Sequence, residues 1–527
     1  MSNSSGDDPG RLLREDPDAD SDLSGRGDPS LTGLEATGHP ALPVTGADRV
    51  AGGDGPASDR SARDLDATLL FGLFALLLAF SLILHQIWWN GFEVRSPHFV
   101  VMVAALWVAL RPTSVVRFLV MIAAEVVAVA LDLPYVGDHT LLVLITGACV
   151  IGYVGWTTLA TRRLPRAGPL FAGIAPFLRA QLVVVYAFAA LAKMNTAFLD
   201  GHISCAAVMS RQVAWFDPTL MDGSWRITPA IWGTVLIEAA LPVLLAVPRT
   251  RVLGLLVGLS FHIVLALAGN VPFSALALAL YVAFVPGDAP ARLRARFAEH
   301  PSLDRWMRHV RRWSASPVAL ALSVSCWLAG AAIFARRPAA GGALMPTSMR
   351  LFMVLLLVAA GVLLILSRIG GEHTLRDPSR RSRLGQPVLA LGILLLVVNG
   401  LSPYLGFKTE STFTMFSNLR TEGGYWNHLF IPASVRVFGY QDQLVRITGS
   451  NDPALEARTR DGSRLVRFEL DRYLRSHPDT RATYLVGTST GEKSETTTSP
   501  APASFWTSAL EKVTRFEDVR PPRLGGC

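Results

Sequence analysis

The sequence predicts an all-α polytopic transmembrane helix bundle with a small extracytoplasmic α+β domain after it. Half of the 527 residues are hydrophobic and only 17% are charged. The apolar residues cluster in runs of about 17 to 25, the length that crosses about 30 Å of hydrocarbon. Residues 405–527 instead mix charged side chains with short alternating and helical patterns. These observations indicate an integral membrane protein whose partner is the lipid bilayer.

Residues 1–66 are predicted to form a disordered, acidic, cytoplasmic tail. They carry 14 acidic and 6 basic side chains among many Gly, Pro and Ser residues. Such a composition offers too little apolar surface to offset the entropy of ordering. A cleavable signal would need a basic start and an early apolar run, and neither precedes Ala67. The first apolar run is therefore expected to act as an uncleaved anchor.

Eleven apolar segments are predicted to be membrane-spanning helices. Two of them are short enough to be tilted or partial, namely 98–110 and 271–285. The segments are 67–89, 98–110, 114–133, 139–160, 170–193, 228–247, 252–268, 271–285, 316–334, 347–367 and 386–404. We expect residues 67–290 to form one transmembrane domain, and residues 291–404 to add further helices with basic cytoplasmic loops.

The distribution of arginine predicts the orientation. Arg-rich loops alternate along the chain as they should if the N-terminus is cytoplasmic, because basic loops stay inside. Arg336, Arg337 and Arg350 fall on the outer side and count against this scheme. An odd number of spans places the C-terminal domain, residues 405–485, outside the membrane, followed by a flexible tail at residues 486–527. Within that domain "LVRFELDRYL" has helical spacing and "SVRVFGYQDQLVRITG" alternates like a strand.

Several function classes find no support in the sequence. The formal charge of +8 comes largely from arginines in short loops, where they set orientation, and no nucleic-acid motif accompanies them. The four cysteines have no metal-ligand spacing, so no metal site is predicted, and two of them lie within apolar runs as small packing residues. No glycine-rich phosphate loop, nucleophile elbow or zinc motif is present.

Three titratable residues are predicted to lie at a similar depth near the outer boundary: Lys193, His139 and His262. Each also has a simple structural interpretation, because a terminal lysine can reach the headgroups and a buried histidine can join two helices by a hydrogen bond. Placed together in an apolar pocket, a lysine amine could act as a general base toward a weak acid such as a hydroquinone hydroxyl. Glu238 lies near the middle of an apolar helix, so it is expected to be protonated or to pair with an arginine or with Lys193.

Two stretches resemble the horizontally transferred transmembrane (HTTM) domain that bacterial proteins share with the vitamin K-dependent gamma-carboxylase. They are "VVVYAFAALAKMNTAFLDG" and "PAIWGTVLIEAALPVLLAVPRTRVLGLLVGLSFHIVLALAGNVPFSALALALYVAFVP". A Tyr precedes Ala-x-Lys and Asn, and an acidic residue, a Thr-Arg turn and Phe-His follow in order. The resemblance extends over about residues 67–290.

The resemblance implies a membrane lyase that oxidises a reduced quinone, of the vitamin K or menaquinol type, and removes a proton from a peptide or protein substrate before carboxylation. It assigns catalytic roles to Lys193, His139 and His262. It also assigns quinone binding to three residues, which are Tyr186, Glu238 and Asn195. The chain departs from the carboxylase at Ala192, where a second lysine is expected, at Phe198, where a Trp is expected, and after Phe-His, where "IVLALAGN" replaces a polar stretch.

The segment "LSPYLGFKTESTFTMFSNLRTEGGYWNHLFIP" resembles a motif of bacterial members of the same group. Its polar and aromatic residues are predicted to roof the cavity, with Arg420 and His428 available to bind a substrate carboxylate. An ordinary interfacial aromatic belt explains the same pattern. Two other functions also remain open. One is a transporter or scaffold that keeps the helices without the chemistry, and the other is an outer-leaflet transferase based on Asp138 and His139, which are adjacent and so point apart on a helix.

Overall fold

The structure is a computed structural model, and it describes most of the chain. The described residues are 56–87, 95–212, 224–299, 302, 305, 344–369, 386–422, 424–488, 491–497 and 502–519. The predicted tail up to residue 55 and the predicted segment 316–334 lie outside them. Residues 56–66, predicted as the end of that tail, instead begin the first helix.

The membrane part is a bundle of apolar helices. Its main helices are α1 Pro56–His85, α2 Pro97–Leu110, α3 Val115–Asp132, α4 Asp138–Thr161, α5 Ala167–Lys193, α8 Ile227–Ala246, α9 Arg251–Leu267, α10 Val271–Tyr281, α12 Leu344–Ile369 and α13 Gln386–Leu405. Shorter helices are α6 Thr196–Leu199, α7 Cys205–Gln212 and α11 Ala289–Ala298. Among the described residues, six helices are long and apolar enough to cross a membrane, or seven if the bent pair Val271–Phe284 and Ala289–Ala298 counts as one span.

The prediction of a multi-pass helical membrane protein is confirmed. The number of eleven spans stays a prediction, because the six or seven spans are those of the described residues and the predicted segment 316–334 lies outside them. The predicted segment 98–110 is the short helix α2, and the predicted segment 271–285 is the first half of the bent pair. The two halves of that pair meet at 84°. The helix α11 therefore turns sharply away from the direction of Val271–Phe284.

Helices α1 and α5 form the centre of the bundle. α1 packs against α2, α5 and α10, and α5 also packs against α8 and α13. The rings of Phe71, Phe74 and Phe171 are fully buried between α1 and α5. This packing fixes the end of α5, and with it the position of Lys193, against α8.

One face of the bundle collects the polar ends of several helices, and we refer to it as the Lys193 face. Helices α1, α3, α5 and α13 end there, and α2 and α4 begin there. The ring of His139, at the start of α4, lies 2.9 Å from His85, at the end of α1. Likewise His98, at the start of α2, lies 2.5 Å from Asp132, at the end of α3. These pairs join helix ends in neighbouring parts of the same face.

The chain after Leu405 forms a small α+β unit, as predicted. Its antiparallel sheet has the order β2-β1-β3-β4. The strands are β1 Leu444–Ser450, β2 Leu465–Val466, β3 Ala482–Thr488 and β4 Gly491–Thr497, and the helices are α14 Pro453–Asp461, α15 Arg467–Ser476 and α16 Phe505–Val513. A separate core beneath the sheet contains Ile447, Leu455, Leu470 and Tyr484. The predicted helix in "LVRFELDRYL" is α15, and the predicted strand ends in β1.

The structure departs from the flexible tail predicted for residues 486–527. Strand β4 pairs with β3 along its whole length, and helix α16 is held by an ion pair between Glu511 and Arg475. Beyond α16, Phe516 and Val519 are buried against the sheet unit. The sequence of β4, "GEKSETT", is almost entirely polar, because an edge strand needs only backbone pairing on one side. This polar composition is typical of a linker, and for that reason the sequence does not predict the strand.

Candidate functional site

A large cavity lies within the bundle toward the Lys193 face. Its volume is about 460 Å³, within the range of small-molecule sites. Eight lining residues carry polar groups: Asp138, Tyr186, Lys193, Ser210, Arg226, Thr234, Glu238 and Asn270. Most of the remaining wall is apolar. It includes Leu142, Val185, Ala189, Phe198, Phe261, Val264, Leu265, Phe273, Phe413, Met415 and Phe416. The cavity therefore fits a largely apolar molecule that carries a few polar groups.

Lys193 and Glu238 form a buried ion pair in the cavity wall. The Lys193 Nζ lies 2.8 Å from the Glu238 Oε2, and the two side chains are only 5% and 8% exposed. The prediction that Glu238 meets a cation such as Lys193 is thus confirmed. Helix α5 ends at Lys193, and α8 packs along α5 so that its mid-helix carboxylate reaches the amine. The amine of Lys193 consequently works as one half of a pair, not as an isolated base.

Further contacts hold the Lys193 amine in place. It lies 3.5 Å from the Ala189 carbonyl on its own helix and 3.4 Å from the Met415 carbonyl beyond the membrane helices. The ring of Phe198 lies 5.8 Å from the same nitrogen, a distance at which an aromatic face attracts a cation. Phe198 stands where the carboxylase is expected to carry a Trp, and it keeps the aromatic contact with the amine.

A chain of hydrogen bonds runs behind the cavity from Tyr186. Its hydroxyl lies 2.5 Å from the His262 Nε2 and 2.6 Å from the Tyr281 hydroxyl. The other ring nitrogen of His262 lies 3.4 Å from the Ser274 Oγ, which itself donates to the Asn270 carbonyl. Ser274 therefore accepts from Nδ1, which leaves Nε2 as an acceptor for the Tyr186 hydroxyl. Tyr186 in turn accepts from Tyr281.

Close helix packing makes this chain possible. A side chain at Gly258 would collide with the hydroxyl of Tyr281, so the glycine allows α9 and α10 to approach. His262 is fully buried and does not line the cavity. It reaches the cavity only through Tyr186, which does line it. The predicted histidine is therefore near the site but one side chain removed from any occupant.

The structure places His139 away from the cavity wall. Its ring packs against that of His85, with ring centroids 4.9 Å apart. The neighbouring Asp138 faces the cavity instead, because adjacent residues on a helix point in different directions. The expected common pocket of Lys193, His139 and His262 thus brings together only Lys193 and, through Tyr186, His262.

The three other predicted binding residues serve mainly to shape the chain. Asn195 donates 2.7 Å hydrogen bonds to the carbonyls of Ala192 and Ser417 and caps helix α6. His428 donates to the Leu191 carbonyl from Nε2, and its Nδ1 accepts from two backbone amides. Arg420 does not line the cavity. Both nitrogens of His428 are therefore engaged with the backbone, and burial lowers the pKa of its ring, which favours this neutral form.

Residues 409–418, which we call the roof segment, close the cavity from beyond the membrane helices. Four non-glycine residues in it have a left-handed backbone: Ser411, Phe413, Phe416 and Asn418, with φ between 55° and 63°. Such a conformation costs about 1–2 kcal/mol for each L-residue, so other contacts must hold it. A run of strained residues of this kind is typical of functional sites.

Polar groups of the membrane helices supply these contacts. Asp138 accepts a 2.8 Å hydrogen bond from the Phe413 amide, and Asn399 donates a 2.8 Å hydrogen bond to the Ser411 carbonyl. Asn195 holds the Ser417 carbonyl. Next to the roof segment, burial lowers the pKa of Lys408 to about 8, although Asp138 and Glu410 oppose the shift. The prediction of a roof over the cavity is thus met by the structure.

Sequence reasoning missed Asp138 and Met415 as parts of the site. Asp138 was considered only as a partner of His139, whereas its carboxylate both lines the cavity and anchors the roof segment. Met415 contributes a backbone carbonyl, which no side-chain pattern can reveal. The only available signal was the unusual density of polar residues in "STFTMFSN" directly after an apolar helix.

The comparison with protein families agrees with the helices that carry the ion pair and the tyrosine chain. Residues 166–287 match the HTTM domain. The match includes α5, α8, α9 and α10, which supply Tyr186, Lys193, Glu238 and His262. The predicted relation to the HTTM domain is confirmed over these residues. Comparisons with curated proteins and with solved structures gave no match.

The HTTM match does not include the whole candidate site. Asp138 and His139 precede it, and the roof segment follows it by more than a hundred residues. The chain is a multi-pass membrane protein, and its residues 166–287 match the HTTM domain. The carboxylase-like chemistry, the quinone and the bacterial origin stay predictions of the resemblance.

Proposed function

We propose that the protein is a membrane enzyme that binds a reduced quinone and removes a proton from its hydroxyl group. The observation that carries this proposal is the buried Lys193–Glu238 pair in the wall of an apolar cavity. A buried ion pair contributes little to stability compared with well-packed apolar residues. Ionisable groups inside a membrane domain that face a cavity are accordingly typical of function.

The ion pair can accept a proton from a bound hydroxyl group, because the positive charge that results lies beside the negative charge that forms on the donor. The amine lies 2.8 Å from the carboxylate, so the pair of ammonium and carboxylate carries no net charge. If the pair accepts a proton from a weakly acidic hydroxyl, Glu238 becomes neutral and Lys193 remains an ammonium. The pair then carries one positive charge facing the cavity, which stabilises the negative charge left on the donor. The Met415 carbonyl and the Phe198 ring hold the Lys193 ammonium beside Glu238.

The residues that line the cavity fit a quinone-type ring. Phe198, Phe261 and Phe273 offer apolar and aromatic surface, and Tyr186 lies about two helical turns before Lys193 on α5. When bound, a reduced quinone would supply an acidic hydroxyl and two electrons. Tyr186 lines the cavity, and its hydroxyl is hydrogen-bonded to His262 and Tyr281. We propose that the ring contacts Lys193, Glu238 and Tyr186. Asn195 instead holds the roof segment through its hydrogen bond to the Ser417 carbonyl.

The proposal does not extend to carboxylation. The second lysine that the resemblance implies is Ala192 in this chain, and His139 pairs with His85 outside the cavity wall. A peptide or protein substrate and a lyase reaction therefore stay predictions. The departures favour a reaction that uses the same proton transfer on a different substrate.

We further propose that the Lys193 face is extracytoplasmic. Cys205 is disulfide-bonded and lies beside the roof segment, where its amide donates to Asn418. Disulfides persist mainly in oxidising compartments. The distribution of basic loops predicts the same orientation. Cys149, by contrast, is a free and buried cysteine within α4, in agreement with its predicted packing role.

The experiment that tests the function is oxidation of reduced quinones in the presence of the purified protein in lipid nanodiscs, with dissolved dioxygen as the acceptor of the two electrons. Wild type is compared with Lys193→Met and Glu238→Gln, and Lys493→Met on strand β4 serves as the matched lysine control. The proposal expects turnover by wild type and by the control, and a loss of at least about a hundredfold in Lys193→Met, within the range for general acid–base groups. Equal turnover in wild type and both cavity variants would refute it. Absence of binding and turnover with every quinol would instead favour the transporter or scaffold.

A further inference from the structure

The exposed apolar side chains beyond the membrane helices are concentrated in two patches. Among the described residues after Leu405, every large hydrophobic side chain that is strongly exposed belongs to one of them. The helix patch, on α16, consists of Phe505, Trp506 and Val513. The loop patch consists of Leu429, Phe430, Val435, Val437 and Phe438. The remainder of the sheet unit shows no comparable residue among those described, so the two patches need a specific explanation.

The exposure in these patches is large. Phe505 and Trp506 are 77% and 74% exposed, and Phe430 and Val437 are each 72% exposed. Two adjacent aromatic side chains at the start of an amphipathic helix would lose favourable free energy in bulk water. A partner that is continuous and apolar on one side would remove this cost.

Both patches are attached to helix ends at the Lys193 face. In the loop patch, the Leu429 amide donates to the Met194 carbonyl at the end of α5. The amides of Val437 and Phe438 donate to the carbonyl of Leu405, the last residue of α13, at 3.0 and 2.9 Å. These helix ends are where the chain leaves the apolar layer. The loop patch therefore lies at the depth of the membrane boundary.

The helix patch is held at the same boundary by a different set of contacts. Lys512, at the end of α16, donates to the Leu133 carbonyl directly after α3 at 3.3 Å. The guanidinium groups of Arg472 and Arg515 lie 5.2 and 5.0 Å from the ring of Tyr135, in the turn between α3 and α4. A nine-residue helix is only about 13 Å long, so Trp506 cannot lie far from the end of α3.

The lipid-facing surface of the bundle continues into the loop patch. On α13 the exposed apolar residues recur at helical spacing and so form one stripe: Leu391, Leu394, Leu395, Val398 and Leu401. The last residue of the stripe, Leu401, lies about one helical turn before the end of α13 at Leu405, and the amides of Val437 and Phe438 donate to the Leu405 carbonyl. This continuity favours lipid as the occupant, since the same bilayer must cover the stripe. Tryptophan and basic side chains beside it, here Trp506 and Lys512, are typical of the headgroup region.

We propose that the extramembrane unit rests on the leaflet at the Lys193 face and inserts these two patches among the lipid headgroups. The helix patch anchors the unit near the turn between α3 and α4, and the loop patch anchors it beside α5 and α13. The amides of Thr409 and Glu410 in the roof segment donate to the Arg515 carbonyl just after the helix patch, and the loop patch follows the roof segment in the chain. Lipid contact at the two patches therefore helps to hold the roof segment over the cavity. This inference does not depend on the chemistry proposed for the cavity.

The test measures the depth of single sites in the full-length protein in nanodiscs. Trp506→Cys and Phe430→Cys are labelled with a bimane fluorophore, and Asp479→Cys, an exposed site in the turn before β3, is the matched control. Labelled wild type corrects for the native cysteines. We expect lipids brominated near the headgroup to quench the labels at positions 506 and 430 at least twofold more than the label at 479. Aqueous iodide should show the reverse order.

Equal lipid quenching at all three positions, or full access of iodide to positions 506 and 430, would overturn the proposal. Formation of a 506–506 disulfide between two chains, with no lipid quenching, would identify a second copy as the occupant and would also overturn it. Because both substituted side chains are exposed, their replacement removes little packing, and far-ultraviolet circular dichroism confirms that each variant is folded.

Discussion

Replacement of Lys193 by methionine tests the ion pair directly. The substitution keeps the apolar stem of the side chain and removes only the amine, which leaves the Glu238 carboxylate buried without its cation. Because both side chains are almost fully enclosed, breaking the pair is expected to lower the free energy of unfolding by about 3–5 kcal/mol. Glu238→Leu alone should cost a similar amount, since it leaves the ammonium unpaired.

The double variant Lys193→Met/Glu238→Leu gives the decisive comparison. Replacing a whole buried pair by apolar residues is often neutral or stabilising, so we expect the double variant to unfold within about 1 kcal/mol of wild type. The matched control is Gln181→Met on the same helix. Gln181 is buried and bonded to Thr146 at 3.0 Å, and the loss of this neutral hydrogen bond should cost about 1 kcal/mol.

The assay is reversible unfolding in mixed lipid and detergent micelles, followed by circular dichroism as denaturant is increased. The four variants and wild type yield a coupling free energy for the pair. A double variant that loses the sum of the two single losses would refute the reasoning, because it would mean that the amine and the carboxylate do not interact.

Three further predictions concern other parts of the protein. Burial lowers the pKa of Lys408 to about 8 from an ordinary 10.5, so the unfolded chain holds this proton more tightly than the folded protein. The free energy of unfolding should therefore rise between about pH 8 and 10.5, and Lys408→Met should remove that rise when unfolding is measured as a function of pH. Tyr186→Phe should lower the free energy of unfolding by about 1–3 kcal/mol, more than Tyr281→Phe, because only Tyr186 is hydrogen-bonded to both His262 and Tyr281. Equal losses of the two variants in chemical denaturation would contradict this chain of hydrogen bonds. Arg162 ends α4 with a φ of 57°, so Arg162→Gly should raise the free energy of unfolding by about 1 kcal/mol, and a loss would show that its side chain matters more than its backbone.

The fold followed from the sequence where periodic patterns are strong. The apolar runs identified α1, α4, α5, α8, α9 and α13, and the spacing of "LVRFELDRYL" identified α15. Strand β4 was missed because its polar residues carry no alternation, and its position depends on backbone pairing with β3. Sequence patterns report side-chain burial, so elements held by backbone hydrogen bonds alone escape them.

The candidate site was predictable in its central residues and not in its surroundings. Lys193 and Glu238 stood out because charges within apolar helices need partners, and the structure pairs them. The chain of Tyr186 and His262 depends on a close approach at Gly258 that a single sequence does not reveal. Asp138 and Met415 join the site only because the chain returns to the cavity after α13, a long-range contact that no local pattern encodes.

The central claim is that the Lys193–Glu238 pair accepts a proton from a hydroxyl group in the cavity. Equilibrium binding of a hydroquinone and of its dimethyl ether, compared in wild type and in Lys193→Met/Glu238→Leu, tests it most directly. The account predicts that wild type prefers the hydroquinone at least about tenfold, since a hydrogen bond to a charged group contributes about 1.5–3 kcal/mol, and that the folded double variant loses this preference. The same preference in both proteins would contradict the account.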